Sequence, residues 1–149
     1  MDKLEAKHKQ LLKALSSLDE SILLFKDLSL KKTVVTGQYR YDQMYRAFRE
    51  SMIQRFEFCT ELFWKYIKNY VEHVAEPVEY NSPSPVIKTA FRVGVLNELD
   101  AEGALEMIKD RNRTSHIYKE EVAEELTKKI PQHYQLMNEV VSRLTAKNK

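Results

Sequence analysis

YDQMYRAFRESMIQRFEFCTELFWKYIKNYVE, residues 41–72, decides the fold. It contains neither Gly nor Pro, the two residues that most readily interrupt a helix. Met44, Phe48, Met52, Phe56, Cys59, Phe63, Ile67 and Tyr70 recur at spacings of three and four, which lines one face of an α-helix. Tyr45, Phe58, Trp64 and Tyr66 widen that stripe beyond what one neighbour can cover. A helix apolar over so much of its circumference sits centrally in a bundle or carries a subunit interface. Both are expected here, because aromatic side chains are enriched in interface cores.

The polar residues of the same stretch read as follows. Glu61 and Lys65, four apart, are placed to pair. Arg40, just before the stretch, and Arg46, Arg49 and Arg55 within it bring cations, but Asp42, Glu50 and Glu57 interrupt them. A solvated, salt-bridged face is therefore expected rather than a phosphate-binding patch. Glu57 and Glu61 lie one turn apart without a His at metal-ligand spacing, so no metal site is expected. Cys59 falls on the apolar stripe and reads as a small buried hydrophobe.

Outward from this helix the chain continues in helical units. Leu4, Leu11, Leu15, Leu18, Ile22 and Phe25 form a seam over residues 2–27, with His8 a boundary residue at its open end. Residues 28–38 lack a sustained period and read as a loop. Residues 75–85 hold three of the four prolines and end the long helix. Ser84 is expected to cap the next helix with Pro85 as its first residue. That helix should run to about Leu96 and bury Val86, Ile87, Ala90 and Phe91. Asp100 is expected to cap a fourth helix, anchored by Leu105 and Ile108. The last helix, about residues 120–147, should bury Val122, Leu126, Ile130, Met137, Val141 and Leu144, and Pro131 should kink or split it. The expected fold is an all-α up-and-down bundle of about five helices, in one domain spanning residues 1–149.

Composition narrows the function classes. A formal net charge of +2 over 149 residues is nearly neutral, so a nucleic-acid site must be a local patch. The single cysteine makes no internal disulfide, and the N-terminus has neither a basic start nor an apolar run, so a cytoplasmic location is expected. No apolar stretch approaches the roughly 20 residues that span a bilayer. A Gly-rich phosphate loop, a Ser-His-Asp order and a CxxC pair are all missing from the sequence, which leaves metal-independent chemistry among the open classes.

That chemistry has one evident home. Residues 110–118, Asp-Arg-Asn-Arg-Thr-Ser-His-Ile-Tyr, have Ile117 as their only aliphatic side chain. Arg111 and Arg113 are permanently charged forks suited to phosphate oxygens, and His116 can move a proton near neutral pH. Together they suffice for metal-free attack of a ribose 2′-OH on its own phosphodiester. At about 100° per residue, Arg111 and His116 lie about 140° apart on a straight helix, so they converge only at a frayed helix end or across a dimer axis. Asn112 and His116, four apart, share a face. The alternative is a polar helix C-terminus whose Arg and His simply complement the helix dipole.

Arg111, four intervening residues, His116, one residue and Tyr118, with Asn112 directly after the Arg, resemble the signature of the HEPN superfamily. They are similar in particular to its nucleotidyltransferase substrate-binding branch, which includes the HepT-like toxins of MntA–HepT modules. Residues 54–65, QRFEFCTELFWK, resemble that branch's long central helix, and Ser84-Pro85 with Ala90-Phe91-Arg92 resemble the start of its next one. Ala104 stands where many relatives carry an aromatic residue.

The resemblance implies a homodimer and a small MNT-type nucleotidyltransferase as partner. One implied function is a metal-independent, cofactor-free endoribonuclease acting on RNA. In it His116 is general acid or base, Arg111 with Arg113 stabilises phosphate charge, and Asn112 orients His116 or a phosphate oxygen. Tyr118 then matches the position that the partner adenylylates, as an off-switch. The other implied function is a non-catalytic substrate-binding subunit of a two-chain nucleotidyltransferase.

Overall fold

The computed structural model describes residues 2–30 and 38–147. Among them are five α-helices and one 3-10 turn: α1 (Lys3–Leu30), α2 (Gln38–Val74), α3 (Pro83–Arg92), α4 (Glu98–Arg113), the turn Thr114–His116, and α5 (Glu120–Lys147). The molecule is an all-α bundle. The expected loop over residues 28–38 falls mostly outside the described residues, as does the side chain of Arg40.

The long second helix is the centre of the bundle, packing against α1, α3, α4 and α5. Its width of apolar surface is largely explained by this position. Trp64 and Tyr66 are buried within the chain beside Met52, Phe56, Cys59, Phe63, Ile67 and Tyr70, while Phe58 stays 57% exposed. Leu4, Leu11, Leu15 and Leu18 of α1 join the same core, with Ile22 and Phe25 half-buried against it. Asp2 starts α1 by accepting the Glu5 N–H at 2.8 Å, one of the donors that a helix start leaves unpaired.

Two helix starts differ from the sequence expectation. The cap of α3 is Ser82 and its first residue is Pro83, one Ser-Pro step earlier than Ser84-Pro85. Pro85 is tolerated at the third position because N–H groups of a first turn have no intrahelical partner to lose. Asn97, not Asp100, caps α4. The Asp100 N–H donates to Asn97 Oδ1 at 2.8 Å and the Asn97 N–H to Asp100 Oδ2 at 3.2 Å, a reciprocal capping box.

The end of α3 also falls early, at Arg92, where Gly94 adopts φ +83°. That left-handed turn carries the Val95 and Leu96 N–H groups back to the Ala90 carbonyl. Phe91, about 100° round from Ala90, is exposed rather than buried. Pro131 does not split α5, which is continuous. Pro131 itself is exposed, and its missing N–H takes one donor from the Thr127 carbonyl without breaking the helix. Leu126, Ile130, Met137, Val141 and Leu144 are buried, and Val122 half so. No helix among the described residues is long and apolar enough to cross a membrane.

Candidate functional site at the turn between α4 and α5

The polar stretch falls where α4 ends. Arg111, Asn112 and Arg113 form its last turn, and Thr114–His116 tighten into the 3-10 turn before α5 begins at Glu120. The Thr114 hydroxyl is buried there, donating to the Arg111 carbonyl at 2.7 Å, and the Ser115 hydroxyl donates to the Asn112 carbonyl at 3.2 Å. Both satisfy carbonyls that a helix end leaves free.

Two clamps fix this turn from below. Arg113 pairs with Glu125 of α5 and approaches Asp110 Oδ1 at 3.6 Å. On the far side, Arg49 of α2 is buried and holds Glu120 Oε1 at 2.7 Å and Glu124 Oε1 at 3.0 Å, while Tyr45 Oη donates to the same Glu124 oxygen at 2.7 Å. Burial, and then the neighbouring Glu124, push the Tyr45 phenol up to about 12. Arg49 is thus no part of a solvated cationic face, because its charge is neutralised beneath the start of α5. Arg55 likewise turns inward, donating to the Ser17 carbonyl at 2.8 Å.

Asp110 is the deepest charge of the region at 1% exposure. It accepts from His133 Nε2 and Lys129 Nζ, each at 2.7 Å, and Lys129 also reaches Glu106 at 2.5 Å. Burial disfavours the carboxylate, but these two donors outweigh it and hold Asp110 below the usual carboxylate range. Burial holds His133 below the usual imidazole value against the pull of Asp110. The His133 ring stacks on Phe56, with centroids 5.5 Å apart.

Above these clamps lie the residues singled out from sequence. Arg111 Nη1 donates to Thr114 Oγ1 at 3.1 Å and lies 3.7 Å from Glu57 Oε2. The Nε of that guanidinium is buried without a hydrogen-bond partner among the described residues, and the side chain is 36% exposed. His116 and Tyr118 are both exposed, Tyr118 at 75%. His116 Nδ1 lies 3.3 Å from Tyr118 Oη, and the two rings meet edge to face at 5.9 Å. Asn112 is exposed. Within one chain Arg111 and His116 share no hydrogen bond among the described residues, nor do Asn112 and His116. The structure therefore brings together His116 with Tyr118, and Arg111 with Glu57 and Thr114.

Sequence reading missed the Asp110–His133 pair and the burial of Arg49. A signal existed for the burial of His133 and of Arg49, though not for the partner of either. His133 falls between Ile130 and Met137 on the apolar stripe of α5, and Arg49 lies seven residues before Phe56 on that of α2. A polar group on such a stripe is buried and needs a partner. The Glu61–Lys65 pair forms as expected, at 3.2 Å. Cys59 is fully buried, and burial pushes its thiol up to about 12.

Comparison with known proteins gives two findings. A family model described as "nucleotidyltransferase substrate binding protein like" matches residues 6–146. A crystal structure of a protein from Thermus thermophilus is 31% identical, with 85% of this chain and 98% of that one covered, at a TM-score of 0.62. No curated protein matches the chain.

Proposed function

Because the chain belongs to the nucleotidyltransferase substrate binding protein-like family, we propose that it acts with a small MNT-type nucleotidyltransferase as a HepT-like, metal-independent endoribonuclease of a two-gene toxin–antitoxin module in the cytoplasm. The observation that carries this reading is the exposed His116–Tyr118 pair on a braced turn, with the partly exposed Arg111 guanidinium in the preceding helical turn.

In the proposed reaction His116 accepts the proton of a ribose 2′-OH as its oxygen attacks the adjacent phosphorus. The P–O5′ bond breaks, the 5′-oxygen takes a proton, and a 2′,3′-cyclic phosphate is left. Arg111, helped by Arg113, stabilises the charge that builds on the phosphate oxygens, and Asn112 hydrogen-bonds one of them. A homodimer through α2 sets two such turns beside one cleft, so that Arg111 of one copy and His116 of the other can face one phosphate. Adenylylation of Tyr118 by the partner enzyme places negative charge and bulk against His116, which excludes RNA by repulsion and sterics.

Unmodified protein is expected to cleave RNA in EDTA, and Arg111→Ala to lose most of that activity. If Arg111→Ala cleaves as fast as the wild type, the ribonuclease reading is wrong.

A second reading is supported by the contacts of Arg111 with Glu57 and Thr114, which are those of a structural residue. There the chain is a non-catalytic subunit that positions substrate for the nucleotidyltransferase. Stable co-purification of the two without RNA cleavage by the free subunit, and loss of the complex on substitution of α2 but not of Arg111 or His116, would select it.

A further inference from the structure

We propose that His116 is also the base for the modification of its neighbour, its Nδ1 taking the proton of Tyr118 Oη as that oxygen attacks the α-phosphorus of a nucleoside triphosphate held by the partner enzyme. This rests on the reading of Tyr118 as the modified residue. In the step the Oη–P bond forms, the bond from the α-phosphorus to the oxygen bridging to the β-phosphate breaks, pyrophosphate leaves, and the phenolic proton ends on the imidazole.

Geometry carries the inference. Nδ1 and Oη are 3.3 Å apart, within reach of direct proton transfer once the pair tightens in a complex. The backbone between them is fixed: Ile117 is helical at φ −69° and ψ −8°, and the Lys119 N–H donates to the His116 carbonyl at 3.0 Å. Tyr118 is 75% exposed, so a second protein's active site can reach its oxygen while the imidazole stays beside it. Glu120, two residues on, is held by Arg49. A phenol is almost wholly protonated at neutral pH, so a target that brings its own base relieves the partner of supplying one.

The test is single-turnover transfer to Tyr118, read by intact mass, with the partner nucleotidyltransferase saturating and ATP as donor. His116→Ala and His116→Gln are each expected to be modified about a hundredfold or more slowly than the wild type, and added imidazole to accelerate His116→Ala. Saturating partner removes any change in docking affinity, and the Gln variant fills the ring's place without taking a proton. Modification of either variant at the wild-type rate overturns the proposal. So does a slow His116→Ala that imidazole leaves unchanged, which would assign His116 to positioning Tyr118 within the complex rather than to proton transfer. Failure of the wild type to be modified at Tyr118 overturns the off-switch itself, whereas fast variants beside a modified wild type overturn only the role of His116.

Discussion

Asp110 keeps its charge in the core because Lys129 and His133 both donate to it, and this fixes how the protein should respond to acid. His133 is held below its unfolded-chain value, so the unfolded chain takes up that proton first. Stability is therefore complete above about pH 6.5 and is lost as pH falls through the lower folded value. Asp110, also held low, adds a second loss once pH falls below about 4. Thermal unfolding followed from pH 8 to pH 5 should show a falling midpoint in the wild type and a flatter curve in His133→Gln. Equal slopes would mean that His133 is not the group responsible. At this scale the sequence revealed which residues are chemically capable but not which of them meet. His116 and Tyr118, two apart on one turn, do meet, but the sequence reading weighs only Arg111 and Asn112 as neighbours of His116. Asp110 and His133 come from different helices, and no local period records such a pairing.

Helix ends show where element-level reading works and where it loses position. The apolar stripes of α1, α2 and α5 fixed those helices because each repeats over many turns. Caps rest on one or two residues, and Asn97 and Asp100 are both good caps three apart. In a capping box each bonds the other's N–H, so residue type alone does not tell them apart. Asn97→Ala should cost about 1 kcal/mol, measurable as a lower urea midpoint, and an unchanged midpoint would mean that the box contributes nothing. Pro131 carries the opposite expectation. Since α5 is already continuous around it, Pro131→Ala restores a backbone donor and removes a ring, and should stabilise the protein by about 1–3 kcal/mol. A destabilised Pro131→Ala would show that the ring packs favourably where it stands.

For the whole molecule, the central place of α2 accounts for most of its aromatic surface, and Phe58 is the large part left over. If the homodimer forms on that face, Phe58→Glu should yield a monomer by sedimentation while changing stability by no more than about 0.5 kcal/mol, as for other surface substitutions. A dimer that survives Phe58→Glu would move the interface elsewhere. The central claim concerns the braced turn between α4 and α5, and its most direct test is RNA cleavage in EDTA. Protein whose intact mass matches the unmodified sequence should be run beside His116→Ala. Cleavage by the wild type and none by His116→Ala is the predicted result. Equal cleavage by both, or none by the unmodified wild type, would contradict it.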